Sequence, residues 1–268
     1  MTSATAHDYA CIRTSPLFCY ALEAGYTLTL VRGVTPADVL RVMAAVPQGT
    51  CHGADALIEQ QEELREGMDY WDEAFLAGAF AVAGHGGEWT LVLQFDGGVG
   101  MQGRFLEVLS TGGRAVMHSS NGGKPIHLFH WYEDGELRTT FEGPAVRYGS
   151  TPDDLVEVMR EVGFALSVAE EEAAGAGVDT KAATFALAER LSGVRVSEAL
   201  LQCADFQIGH VPEEPAEDWT GIVIDITDAQ GDRFCREFTR EDVGAAADEA
   251  RARANAPVVI EGPFFSGS

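Results

Sequence analysis

Between residues 88 and 148 the hydrophobic positions fall into short runs separated by glycine turns. The turns contain Asp96-Gly97, Asn121-Gly122 and Asp134-Gly135. Such pairs readily adopt the positive φ angles that tight hairpins need, so the pattern predicts an antiparallel sheet. The strands predicted in this way are 88–95, 115–120, 125–133 and 136–141, with a short helix at 104–109.

Capping residues and helical spacing predict the elements on either side. A β-branched run at 25–32 predicts another strand. Thr35 is followed by Pro36, a typical helix start, and Ser150-Thr-Pro152 repeats that signal. Further helices are predicted at 54–66, 180–191 and 197–204. We interpret residues 48–78 as a helical insertion that lies over the edge of the sheet.

These elements predict an α+β fold, with an antiparallel meander sheet and helices packed on one face. A length of 268 residues allows one large domain or two small ones. The main domain is predicted at 1–205. An acidic, proline-containing linker at 206–219 then leads to a small C-terminal β-β-α element at 220–268, which could pack on the main domain.

The charge is strongly acidic. Asp and Glu number 42 against 18 Lys and Arg, which gives a net charge of −24 and a pI near 4.5. Such a surface repels nucleic acid and anionic membranes, so direct binding to either is not expected. We interpret the excess of negative charge as a solvated acidic surface. The alternative is a docking surface for a basic protein partner, or a DNA-mimicking decoy.

The cysteines and the N-terminus predict a cytoplasmic protein. The five cysteines are widely spaced and contain no Cys-x-x-Cys pair, a pattern that favours reduced thiols. Residues 1–8 have neither a basic nor an apolar segment of the kind found in signal peptides. No apolar run approaches the ~18 residues of a membrane span.

No catalytic signature stands out, so a non-enzymatic role is favoured and no cofactor is predicted. Ser110 and Ser119-Ser120 lack the Gly-x-Ser-x-Gly context of a nucleophile. Asn121 to Lys124 is interpreted as a hairpin turn, because the spacing of a phosphate-binding loop is missing. His127 and His130 are three apart, which places them on opposite faces of a strand, so no metal site is predicted.

A ligand pocket on the central sheet is one candidate site. Its predicted lining residues are Trp89, His118, His127, Trp131 and Arg138. Basic residues are scarce in this chain but concentrate between 104 and 147, where arginines could bind an anion or a carboxylate. The alternative is that these arginines form ordinary surface ion pairs.

The insertion contains the second candidate site. Tyr70, Trp71 and Phe75 could anchor a protein partner, because exposed aromatic side chains often dominate interfaces. The alternative is that these side chains belong to the core.

Three segments together resemble an uncharacterised actinobacterial family, the domain of unknown function numbered 6461. They are 26–36, 87–95 through 109–112, and 186–196. The similarity spans about residues 9–205. The resemblance implies a bacterial, intracellular protein with one α+β core. It implies no activity and no catalytic residues.

The sequence therefore favours a non-enzymatic intracellular interaction module, of an accessory, antitoxin-like or immunity type, that binds a partner through its acidic surface. One alternative is a small-molecule-binding protein or enzyme with a pocket on the sheet. Another is a structural component of a larger assembly. The oligomeric state is left open.

Overall fold

The computed structural model divides the chain into two compact units, Met1–Glu213 and Glu214–Ser268. It describes residues 3–66, 75–95, 103–122, 127–167, 170, 179–211, 221–227, 231 and 233–239. None of the helices in these ranges is long and apolar enough to cross a membrane.

The first unit is built on an eight-stranded sheet in which every neighbouring pair is antiparallel. The strands are β1 Tyr26–Arg32, β2 Val46–His52, β3 Phe75–Gly84, β4 Gly87–Gln94, β5 Arg114–Ser120, β6 His127–Glu133, β7 Glu136–Phe141 and β8 Asp205–Val211. Their order across the sheet is β2-β8-β3-β4-β1-β5-β6-β7.

The helices begin where the sequence supplies capping groups. After a 3₁₀ helix at Ala6–Arg13 come α1 Pro16–Ala24, α2 Pro36–Val42, α3 Ala54–Glu66, α4 Gly103–Leu109, α5 Val156–Val162, α6 Thr180–Ser192 and α7 Glu198–Gln202. At α2 the Thr35 hydroxyl accepts a hydrogen bond from the Asp38 amide, as the Thr-Pro signal predicts. The Asp134-Gly135 turn has φ angles of 53° and 82°, which confirms its hairpin.

Both faces of the sheet carry an apolar core. The first face packs against the 3₁₀ helix and against α1, α3, α5 and α6, and its strand residues include Leu28, Leu91, Val116 and Phe129. The second face packs against α2 and α4. The α+β fold with an antiparallel sheet is confirmed, but the prediction of helices on one face alone differs from the structure.

The sheet order also departs from a simple meander. β1 inserts between β4 and β5, and β8 inserts between β2 and β3. The helix predicted at 54–66 is confirmed, but the interpretation of 48–78 as an insertion over the sheet edge is wrong, because residues 46–52 and 75–84 are strands of the sheet itself. β8 extends to Val211, so the sheet continues past the boundary predicted at residue 205.

The second unit contains a two-stranded antiparallel ribbon. Its strands are β9 Gly221–Thr227 and β10 Arg233–Thr239. These are the two strands predicted for the C-terminal element. The helix predicted after them lies outside the described residues.

Candidate functional site

Of the five side chains predicted to line a pocket, Trp89, His118 and Trp131 belong to the core of the first face, and the side chain of His127 lies outside the described part of the structure. Trp89 is 1% exposed and His118 is 0% exposed, and Trp131 is also buried in the same cluster. Strand pairing sets His118 opposite Leu28, and Leu28 opposite Leu93. Trp89 lies four residues before Leu93, about 13 Å along the strands at ~3.3 Å per residue, so these rings do not converge.

His118 is held by aromatic contacts and one hydrogen bond. Its Nδ1 lies 2.9 Å from the Tyr26 hydroxyl, and its ring centroid is 4.6 Å from that of Phe185 on α6. Nε2 is buried without a partner. Burial lowers the pKa of His118 to about 3, so the ring is neutral at physiological pH. This is a core histidine that joins the sheet to α6.

Arg138 and its neighbouring arginines are engaged by acidic groups. Arg138 lies 3.3 Å from a Glu136 oxygen and 3.5 Å from Asp154, and its guanidinium is 5.8 Å from the Trp131 ring centroid. Arg147 lies 2.8 Å from Asp153. These contacts are the ordinary ion pairs that the sequence offered as the alternative to an anion pocket.

Among the described residues, no group of three or more His, Cys, Asp or Glu side chains is arranged to hold a metal ion. The backbone of His127 pairs with Ser120, and His118 pairs with Phe129. The two histidines are therefore offset by two residues on adjacent strands.

The predicted partner-binding residues have different outcomes. Tyr70 and Trp71 lie outside the described residues. Phe75 is 3% exposed and begins β3, where it packs into the second-face core. Its ring is buried there and does not present a surface to a partner.

Two polar pairs link α6 to the 3₁₀ helix and to β5, and neither was visible in the sequence. The Tyr9 hydroxyl donates to a Glu189 carboxylate oxygen at 2.8 Å. The Lys181 ammonium lies 3.2 Å from the Ser120 hydroxyl, and burial lowers the pKa of Lys181. Ser120 is itself buried. Both pairs join residues more than 60 positions apart, beyond the reach of any spacing argument.

A polar patch lies on the second face of the sheet. Its members are Thr27 and Thr29 of β1, Gln94 of β4, Ser119 of β5 and His130 of β6. Thr27 pairs with both Gln94 and Ser119, while Thr29 and His130 pair with the two sides of Met117. The sequence contained a signal for this patch. In a strand whose two faces are both buried, polar residues at alternate positions, such as Thr27 and Thr29, indicate that one face is polar.

The third feature is the exposed face of α3. Its carboxylates are Asp55, Glu59, Glu62, Glu63 and Glu66, against the single basic residue Arg65. The opposite side of the helix buries Ala54, Leu57 and Gln61.

The comparisons with known proteins identify a family and nothing closer. The family model described as "Family of unknown function (DUF6461)" matches residues 2–216. No curated protein and no solved structure matches the chain significantly.

Proposed function

Because the chain belongs to DUF6461, a family without an assigned function, its role has to be inferred from its own residues, and we propose that it is a protein-interaction module. In this proposal the exposed face of α3 binds a basic partner. The protein acts inside the cell as a non-enzymatic accessory, antitoxin-like or immunity-type component.

The observation that carries the proposal is the unpaired charge of α3. Among the described residues, no Lys or Arg forms an ion pair with any of its five exposed carboxylates. Some acidic residues elsewhere form local ion pairs, as in Arg13–Asp179, Arg114–Glu133 and Arg190–Glu161. The α3 face therefore presents five of the chain's 42 carboxylates on one helix, with Arg65 as its single basic residue.

The spacing of these carboxylates opposes helix stability. Glu59 and Glu63 are four residues apart, and Glu59 and Glu62 are three apart, so like charges are neighbours on the helix surface. Each such pair costs about 0.2–0.5 kcal/mol. A partner with complementary charge would relieve this repulsion, which gives the arrangement a function that a solvated face does not need.

α3 is also held rigidly, which favours binding. The Gln61 side-chain oxygen accepts a hydrogen bond from the Leu76 amide at 2.9 Å, and Leu57 is buried against the sheet. At the start of the helix, the Gln202 amide nitrogen donates to Asp55 at 2.7 Å. A fixed backbone presents the carboxylates with little ordering cost on association.

The test is capture of partners from the native host by the full-length protein. The variant Glu59→Gln, Glu63→Gln, Glu66→Gln removes three charges from α3. A matched control, Glu107→Gln, Glu142→Gln, Glu157→Gln, removes three charges from exposed positions elsewhere. We expect a stoichiometric partner with the wild type at low salt, reduced capture at high salt, and loss of capture in the α3 variant only.

Two results would count against the proposal. One is the absence of any stoichiometric partner at low and high salt. The other is an equal loss of capture in both triple variants, which would show that only the total charge matters.

A further inference from the structure

Three turns meet at one end of the central strands and border a cleft of about 360 Å³, the Arg32 cleft. Its lining residues come from 32–35, 86–88 and 111–112, in the turns that connect β1 to α2, β3 to β4 and α4 to β5. These turns lie together because β3, β4, β1 and β5 are neighbours in the sheet. Ligand pockets commonly measure about 300–1,000 Å³, so this cleft has room for a small molecule.

Part of the wall of the Arg32 cleft is bare backbone. Gly33 and Gly112 have φ angles of 74° and 70°, a region that glycine adopts without strain and that other residues rarely occupy. A Cβ atom added to either of them would meet nothing within 4 Å, so the space above both turns is open. A ligand in the cleft can therefore approach the backbone closely.

Arg32 brings an unpaired positive charge to the cleft. The side chain is half-buried, and its Nη1 atom lies 3.7 Å from the place that a Cβ atom of Gly86 would occupy. Arg32 forms no hydrogen bond or ion pair through its side chain within the described part of the chain. By contrast, Arg114 and Arg147 contact carboxylates at 2.7 Å and 2.8 Å. A free guanidinium is suited to bind a ligand carboxylate through two parallel hydrogen bonds.

Glu88 brings a negative charge to the same cleft. Its side chain is exposed, and its backbone carbonyl accepts a hydrogen bond from the Gly33 amide at 2.9 Å, which fixes β4 beside the first turn. Its carboxylate forms no ion pair with Arg32 or with any other described residue. Arg32 and Glu88 are the charged residues among those that line the cleft, which therefore offers one unpaired charge of each sign.

These two charges select the class of ligand. The threonine hydroxyls in the lining are already used, since those of Thr35 and Thr111 donate hydrogen bonds to protein oxygens at 2.8 Å and 3.2 Å. A purely anionic ligand would lie against Glu88 and a purely cationic ligand against Arg32, and like charges in contact are unfavourable. A zwitterion presents an opposite charge to both side chains.

We propose that the Arg32 cleft binds a free α-amino acid, whose carboxylate contacts Arg32 and whose ammonium group contacts Glu88. An α-amino acid carries both charges on groups attached to one carbon, which suits two charged side chains at the border of one small cleft. The cleft shares no lining residue with the exposed face of α3. The proposal is therefore independent of the partner-binding role.

The test is isothermal titration calorimetry of the full-length protein with each of the common α-amino acids. We expect at least one of them to bind. Its N-acetyl derivative lacks the ammonium group and its amide lacks the carboxylate, so each should bind at least about tenfold more weakly than the parent amino acid.

Two variants assign the charges to their side chains. Arg32→Gln should weaken binding of the amino acid at least about tenfold and remove most of the difference between the amino acid and its amide. Glu88→Gln should remove most of the difference between the amino acid and its N-acetyl derivative. The matched controls Arg160→Gln and Glu142→Gln change exposed residues outside the cleft lining and should bind as the wild type does.

Thermal unfolding separates loss of binding from loss of folding. Because the Arg32 side chain has no hydrogen-bond or ion-pair partner among the described residues, Arg32→Gln should keep the melting temperature of the wild type. The bound amino acid should raise the melting temperature of the wild type but not that of Arg32→Gln.

The proposal is overturned by any of four results. The first is that no α-amino acid binds the wild-type protein. The second is that the N-acetyl derivative and the amide bind as tightly as the parent. The third is that Arg160→Gln weakens binding as much as Arg32→Gln does. The fourth is that Arg32→Gln lowers the melting temperature without any amino acid, because the guanidinium then already has a partner in the protein.

Discussion

At the scale of single residues, the same side-chain type serves different purposes in this chain. His118 is buried and fixes the sheet to α6 through Tyr26 and Phe185. His130 is half-buried in the polar patch, and its Nδ1 is buried without a hydrogen-bond partner. His52 is exposed and pairs with exposed Asp205 at 2.8 Å. Only the surroundings distinguish these roles.

His118 and His130 predict acid sensitivity. Burial lowers the pKa of His118 to about 3 and that of His130 to about 4, from 6.5 in the unfolded chain. The unfolded state therefore binds protons first as the pH falls, and the free energy of unfolding decreases below about pH 6.5. In urea unfolding at about pH 7.5 and about pH 5, His118→Gln should show a smaller loss than the wild type.

His52→Gln is the control for this prediction. Because His52 and Asp205 are both exposed, the substitution should change the free energy of unfolding by less than about 0.5 kcal/mol. Equal pH dependence in the wild type and His118→Gln would contradict the assignment of acid sensitivity to His118.

Tyr9 offers a second residue-scale prediction. Its hydroxyl is the buried donor to Glu189, whereas the Tyr20 hydroxyl donates to exposed Glu62 at 3.0 Å. Tyr9→Phe leaves a buried carboxylate oxygen without this donor and should lower the free energy of unfolding by about 1–3 kcal/mol. Tyr20→Phe should change it by less than about 0.5 kcal/mol. Similar values for the two variants in urea unfolding would refute this difference.

The sequence could predict part of the candidate chemistry at this scale. It correctly placed His127 and His130 on a strand, but it predicted that Trp89 and Trp131 line a pocket, whereas both are buried in the core. It placed these residues in a pocket because alternation shows which residues share a face, but not which face the helices cover. The unmet hydrogen bonds of Thr29 and Gln94 appear only when strand neighbours are known.

At the scale of elements, the sequence predicted the strands that are rich in β-branched and aromatic residues and bounded by clear turns. It did not predict β2, β3 or β8. β3 is rich in Ala and Gly, and β2 contains Pro47 and Gly49, all residues that are depleted in strands. β2 lies at the sheet edge, where proline and a bulge are tolerated and discourage aggregation. β8 was missed because the acidic stretch after it suggested a linker.

One close approach between elements is testable. A Cβ on Gly84 of β3 would lie 2.6 Å from the Ser192 carbonyl oxygen at the end of α6. Gly84→Ala must displace that backbone and should destabilise the protein by about 1–3 kcal/mol in urea unfolding. Gly143→Ala, where nothing lies within 4 Å of the added carbon, should be nearly neutral. A neutral Gly84→Ala would contradict the tight packing of β3 on α6.

At the scale of the whole molecule, composition predicted the acidic character but not its distribution. Ion pairs engage some carboxylates, whereas none of those on the exposed face of α3 forms an ion pair within the described part of the chain. Buried polar atoms without a hydrogen-bond partner occur on both faces of the sheet, as at Nε2 of His118 on the first face and the side-chain oxygen of Thr29 on the second.

The association rate of the purified partner, measured by surface plasmon resonance over a range of salt concentrations, tests the central claim most directly. We predict that Glu59→Gln, Glu63→Gln, Glu66→Gln slows association and flattens its salt dependence. The control Glu107→Gln, Glu142→Gln, Glu157→Gln should resemble the wild type. Unchanged association rates and salt dependence in the α3 variant would contradict the role proposed for this helix.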